Sequence, residues 1–235
     1  MSEKRRHVLI PWLLILPLSC GAQEQCLTLG YPVERPNFSS RVRLAEAIFR
    51  QAGLCALVRI LPAKRITEMI KHGELDGEVI RIESYLKDVP ELIAIPTPLS
   101  LFQGNLYWLQ GRPQPTGQGQ SIGVPHDWSW PAEVGRSLNV RLVEVNHSEQ
   151  LFPMALAGRI DGFILSEADF KGFAVHGVDL RPFTSVTVWR EPTHLAVTRA
   201  HADLVPRLDA AVRHMAADGE LTGLLDALKA GGPRE

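Results

Sequence analysis

One twelve-residue pattern occurs twice in this chain, and the second occurrence fixes most of what the sequence can fold into. Residues 69–80 read MIKHGELDGEVI and residues 154–165 read MALAGRIDGFIL. Both follow one template: Met, three residues, Gly, a variable residue, Leu or Ile, Asp-Gly, one residue, then two aliphatics. The copies are 85 residues apart, and the offset holds upstream, where Leu57-Val58-Arg59-Ile60 matches Leu142-Val143-Glu144-Val145. Each copy reads as strand, loop, helix, Gly-terminated turn and strand. A glycine just past a helix suits the left-handed position that ends it. Two such units predict two similar α/β lobes, although two copies fall far short of a repeat array.

Taken in order, the chain predicts alternating strands and helices. Leu27–Gly30 reads as a short strand, and Val42, Leu44, Ala45, Ile48 and Phe49 form a helical stripe that Gly53 stops. Strands at 56–61 and 77–82 flank a helix that Pro62 can begin. This β-α-β-α-β order argues for a parallel sheet with right-handed crossovers. Leu101–Leu109 reads as a strand, followed by GRPQPTGQG at 111–119, taken as the first crossing between lobes. Its glycines precede a strand at the wrong spacing for a dinucleotide loop, so that reading is rejected. SIGVP at 121–125 opens the second lobe, with a helix near 131–138 and a strand at 140–145. Asn146 and Glu149 are a capping-box pair for a helix at 147–157. A strand at 162–166, a β-rich return at 184–189, a strand from Leu195 and C-terminal helices complete the pattern.

The first 22 residues read as a cleavable export signal, and not as part of the fold. Lys4, Arg5 and Arg6 precede a short apolar run, Val8–Leu18, and Cys20-Gly21-Ala22 supplies small residues for cleavage before Gln23. An uncleaved anchor is weighed against this, but the run is short and holds Pro11 and Pro17. Lipid attachment at Cys20 is a lesser alternative, since Pro17 and Leu18 fit a lipobox poorly. Cleavage leaves Cys26 and Cys55, and two cysteines in an exported chain predict one disulfide. Cys26 opens the first strand and Cys55 precedes the second, so neighbouring parallel strands would bring them together. The competing reading is two buried free thiols. The formal net charge of −1 gives no electrostatic reason to expect nucleic acid as a partner.

Open parallel sheets bind ligands beyond the carboxyl ends of their strands. Tyr31, Arg81, Ser166 and the His126-Asp127-Trp128 segment stand at those ends, and the 85-residue offset sets Arg81 opposite Ser166. Arg81 and Glu83 are candidates to orient a small polar solute, with Tyr31, Trp108 and Trp128 as aromatic walls. Surface ion pairing is the competing reading for both charges. Arg65, in the first turn of its helix, is a further candidate, weighed against a solvated structural role. Asp76 and Asp161 recur in both copies, where a carboxylate can accept backbone N–H groups of the turn, and are read as structural. There is no G-x-S-x-G elbow. The histidines lack metal-motif spacing, and no cofactor is expected.

The stretches LTLGYP, PAKRITEMIKHGELDG, SIGVP, SEQLFPMALAGRIDGFILSEAD and HLAVTRAHADLVPRLDAAVRHMAADGEL, in this order over about 200 residues, resemble periplasmic solute-binding proteins of the family-3 type. These are the receptors of amino-acid ABC importers. The resemblance implies an α/β, two-lobed fold with two hinge crossings, each lobe a mostly parallel sheet flanked by helices. Lobe one would hold residues 23–109 and 190–235, and lobe two 110–189. It also implies a periplasmic, non-enzymatic monomer that closes on its solute and serves a membrane permease. A sensing module for a membrane signalling protein, or a small enzyme on the same scaffold, are the alternatives. The ligand site departs from the family pattern. Asp88 stands where such receptors place a carboxylate-binding arginine, and Ser166 where they place the aspartate that holds the α-amino group.

Overall fold

The structure is a computed structural model that describes residues 26–32, 38–126, 128 and 130–229. The expected signal segment 1–22, with Cys20, lies outside the described residues, as does Asp127. The first repeat unit contains β1 (Leu27–Pro32), α1 (Phe38–Gln51), β2 (Ala56–Leu61), α2 (Ala63–Lys71) and β3 (Gly77–Ile82). A short α3 (Glu83–Asp88), β4 (Leu92–Ala94) and the long β5 (Ser100–Leu109) follow. The second unit contains β6 (Ser121–Pro125), α4 (Trp130–Leu138), β7 (Arg141–Val145), α5 (Leu151–Leu156) and β8 (Gly162–Ser166). The chain continues through α6 (Glu167–Val175) and β9 (Phe183–Thr198), and ends in α7 (Val205–Ala217) and α8 (Glu220–Lys229).

The described strands form one sheet in the order β2-β1-β3-β9-β5-β8-β6-β7, with β4 also on β9. β1 is parallel to β2 and β3, and β6 is parallel to β7 and β8, so the two units repeat one topology. Between these blocks run β5 and β9, antiparallel to each other from Ser100 opposite Thr193 to Leu109 opposite Phe183. The expected architecture is therefore present, with two parallel blocks joined by two continuous strands. The return at 184–189 and the strand from Leu195 are one sixteen-residue strand rather than two. β5 pairs with β8 from Gly104 to Tyr107, ahead of the 111–119 segment.

Both faces of each block are covered, as parallel strands require. In the first block, Leu29 and Val79 face Leu44, Ile48 and Phe49 of α1 and Leu208, Val212 and Met215 of α7. The opposite face packs Ala196 against Ile66, Met69 and Ile70 of α2. In the second block the adjacent Phe163 and Ile164 point to opposite cores, one with Phe152 of α5 and the other with Trp130 and Val134 of α4.

The repeated aspartates tie each block together. The Asp76 carboxylate accepts the Thr28 N–H at 2.7 Å, and the Asp161 carboxylate accepts the Ser121 N–H at 2.7 Å. In return Asp76 N–H donates to the Thr28 carbonyl and Asp161 N–H to the Ser121 carbonyl, each at 2.8 Å. The acceptors reach the first residues of the neighbouring strand, β1 or β6, and not the turn itself as the sequence predicted. Cys26 and Cys55 form the expected disulfide across β1 and β2. One local expectation fails at 147–157. Pro153 has no N–H to give Glu149, so the α-helix starts only at Leu151 after a 3₁₀ turn over Ser148–Gln150. The cap moves from Asn146 and Glu149 to His147, whose N–H donates to Gln150 Oε1 at 3.4 Å.

Candidate functional site

A cavity of about 270 Å³ opens where the carboxyl ends of β1, β3 and β8 converge on the joining strands. The first block contributes Pro32, Arg41, Ala63, Ile80, Arg81, Ile82 and Tyr85. The second contributes Trp128, Trp130, Ser166, Glu167, Ala168 and Lys171. Ser100–Gln103 of β5 and Thr193 of β9 form the wall between them, and Leu225 of α8 adds an apolar contact. Of the sequence candidates, Arg81, Trp128 and Ser166 line this cavity.

Arg81 is not a free cation. It is ion-paired with Glu78, a carboxylate with no exposed surface, and its guanidinium lies 4.5 Å from the Tyr85 ring centroid. Tyr85 donates its hydroxyl proton to Glu78 Oε1 at 2.6 Å. Burial works against the Arg81 charge, but Glu78 and Tyr85 outweigh it and hold the guanidinium above its ordinary value. Burial also pushes the Tyr85 phenol upward, and the adjacent Glu78 charge adds to this. The Arg81–Glu78–Tyr85 group therefore presents a fixed, nearly neutral polar floor.

Ser166 lines the cavity but is committed locally. It caps α6, accepting the Asp169 N–H at 3.0 Å and donating its hydroxyl to Asp169 Oδ2 at 2.5 Å. Beyond it, Lys171 and Glu167 pair at 2.6 Å one helical turn apart. Arg41 is different. Its Nε is buried without a hydrogen-bond partner, and its guanidinium sits 5.5 Å from the Tyr31 ring centroid.

Four sequence candidates lie outside the cavity. Tyr31 is 2% exposed and belongs to the first core, where it underlies Arg41. Trp108 belongs to the second block's core and donates its Nε1–H to the Arg112 carbonyl at 3.0 Å. Arg65 is exposed on α2. Glu83 starts α3 and pairs with Lys87 at 3.5 Å, the surface ion pairing weighed for it from the sequence.

Sequence reasoning missed Glu78, Tyr85, Arg41 and the aromatic cluster around Trp130. The Trp130 ring stands 5.3 Å from Phe102, 5.8 Å from Trp128 and 6.1 Å from Trp189. Trp189 is held by Glu191, which accepts its Nε1–H at 2.6 Å and also accepts the Ser84 N–H at 2.7 Å and hydroxyl at 2.9 Å. One carboxylate on β9 thus links α3 of the first block to the aromatic wall of the second. The repeat carried a signal for Glu78, because its counterpart 85 residues on is Phe163. A lone acid in an otherwise apolar buried strand is costly unless partnered. Among the described residues no group of three or more His, Cys, Asp or Glu could hold a metal ion.

No protein-family model matches the sequence. A search of curated proteins likewise gives no match. Solved structures do match in shape. A putative L-cystine ABC transporter protein from Listeria monocytogenes superposes with a TM-score of 0.69 at 14% identity, covering 90% of this chain and 98% of that one. The amino acid ABC transporter substrate-binding protein AbpA from Streptococcus pneumoniae, bound to L-arginine, gives 0.66 at 15% identity, covering 88% and 97%. The ancestral amino-acid-binding protein AncCDT-1, a precursor of cyclohexadienyl dehydratase, gives 0.65 at 12% identity, covering 86% and 95%. At these identities the likeness concerns the fold, and on that ground the chain has the two-lobed α/β architecture of these substrate-binding proteins.

Proposed function

We propose that this chain is an exported solute-binding protein that captures a small polar solute between two lobes and delivers it to an ABC-type importer. One observation carries the reading: a single cavity is lined from both parallel blocks and straddles the two strands that join them. Closing such a cavity needs small rotations about β5 and β9 and no rearrangement inside either block. On this reading lobe one comprises β1 to the start of β5 with the C-terminal half of β9, α7 and α8, and lobe two the residues between. The matched structures that bind amino acids support the assignment by fold, and their place in importers supports a periplasmic setting and a permease partner.

The test is thermal-shift screening of the purified protein against amino acids, polyamines, sugars and organic acids. Hits would be confirmed by calorimetry and by a fall in radius of gyration in solution scattering. Absence of any small-molecule ligand across the panel would overturn the proposal. An enzymatic reading has one observation behind it, the likeness to a dehydratase precursor, and that precursor is itself described as amino-acid-binding. Following each hit by NMR over hours separates the two, since a binding protein leaves its ligand unchanged.

A further inference from the structure

Resting on that reading, the balance of donors and acceptors around the cavity narrows the solute. Three cations line it, and two are already neutralised: Arg81 by Glu78, and Lys171 by Glu167. Arg41 has no carboxylate partner among the described residues, and its buried Nε has no hydrogen-bond acceptor. A second donor is in the same condition. Trp130 is 4% exposed, lines the cavity, and its Nε1–H is buried without an acceptor. Arg81 Nη2 is a third buried donor without a hydrogen-bond acceptor, but it lies against the Glu78 carboxylate. Leaving Arg41 and Trp130 unsatisfied is costly, which points to an acceptor supplied from outside.

Among the described lining residues no carboxylate is left over for a cation. Glu167 is the one carboxylate among the described lining residues, and Lys171 occupies it. Glu78 lies behind Arg81 and is engaged by it and by Tyr85. An ammonium group entering the cavity would meet an excess of positive charge. Ser100 and Thr193, whose hydroxyls bond each other, and Gln103 add neutral polar groups. The rest of the lining is mainly apolar or aromatic, with Trp128, Trp130 and Phe102 on one side.

We infer that the solute is a flat, largely apolar organic monoanion, an aromatic carboxylate without an amino group. Its carboxylate is held by Arg41 with help from Trp130 Nε1–H, and its ring packs among Trp128, Trp130 and Phe102. Charge-assisted pairing of a guanidinium with a carboxylate supplies the orientation. Aromatic packing supplies the area.

The experiment is calorimetric titration with phenylacetate, phenylacetamide, phenethylamine and L-phenylalanine, which share a ring and differ in charge. Phenylacetate is expected to bind at least tenfold more tightly than the other three. Arg41→Gln is expected to bring phenylacetate and phenylacetamide within about threefold of each other, with the melting temperature retained. Arg41→Lys keeps the charge and provides a folded comparison if the glutamine variant is unstable. It should retain a preference for phenylacetate. Equal binding of acid and amide, or tighter binding of L-phenylalanine or phenethylamine, overturns this assignment while leaving a solute-binding protein intact. If all four fail but another solute binds, the aromatic-acid class is wrong. If nothing in the wider panel binds, the underlying reading falls as well.

Discussion

Glu78 and Arg81 are three residues apart on β3, and their side chains meet in a buried ion pair. In a regular strand residues three apart point to opposite faces. Here the register between β3 and β9 shifts between Glu78, opposite Ala196, and Arg81, opposite His194. The extra residue on β3 reverses the alternation and turns both side chains to one side. The bulge lies at the cavity, where the two groups build its floor with Tyr85.

Removing one partner should therefore cost far more than removing both. Glu78→Gln leaves a guanidinium largely shut off from water, and breaking such a pair typically costs about 3–5 kcal/mol. The double variant Glu78→Gln, Arg81→Gln should recover a large part of that loss. Urea denaturation of the wild type, both single variants and the double variant gives the coupling. Additive losses, with no recovery in the double variant, would show that the pair does not act as a unit.

The disulfide supports the outer edge of the first block, where it crosses from β1 to β2. A closed loop of 29 residues contributes about 3.6 kcal/mol in the chain-entropy treatment. Cys26→Ser with Cys55→Ser should lower the melting temperature by about 7–14 °C. Scanning calorimetry in the presence and absence of reductant measures it. A reductant-insensitive transition would argue that the bond contributes little.

Much of this architecture was legible because hydrophobic period and glycine position are local signals. The limits of β2, β3 and β8 follow from them directly, while the disulfide between Cys26 and Cys55 was expected from the cysteine count of an exported chain. The site was legible only at the strand ends, where Arg81, Trp128 and Ser166 reach the cavity. Tyr31 misled because it ends a strand, yet its ring turns into the core beneath Arg41. Arg41 was missed because it lies on a helix with an ordinary amphipathic pattern. Glu78 was missed because its contact with Arg81 depends on a bulge, which the alternation of residues does not announce. Ser166 sits where expected, but its hydroxyl serves Asp169.

Acid should weaken the attachment of α7. Thr97 hydrogen-bonds Asp209, its N–H reaching Oδ1 at 2.7 Å, and with Arg213 nearby the carboxyl is held below its ordinary value. A lowered native pKa gives stability that is fully present above the unfolded-chain value of about 3.9 and lost as pH falls through the native value. The stability gap between wild type and Asp209→Asn should be of order 1 kcal/mol or less at neutral pH and shrink below about pH 4. Urea titrations at about pH 7, 5 and 3 read the trend. A gap that stays constant or widens in acid contradicts the assignment.

Gly104 is where the joining strands and the aromatic wall meet. A Cβ there would lie 2.4 Å from Trp130 Cη2 and 3.1 Å from Trp189 Cβ. The β5–β9 register shifts at the same point, with Gly104 opposite Trp189 and Asn105 opposite Thr187. The Trp130 ring is 4% exposed and wedged among Phe102, Trp128 and Trp189, so it cannot swing aside without moving the whole cluster. Gly104→Ala should therefore cost about 1–3 kcal/mol through overpacking. It should also shift tryptophan fluorescence and weaken binding of any solute held in the cavity. Adding Trp130→Phe to this variant removes the part of the ring that collides and should restore stability toward the wild type. If Gly104→Ala melts and fluoresces like the wild type, the wall is looser than its packing indicates, and closure about these strands must be guided elsewhere.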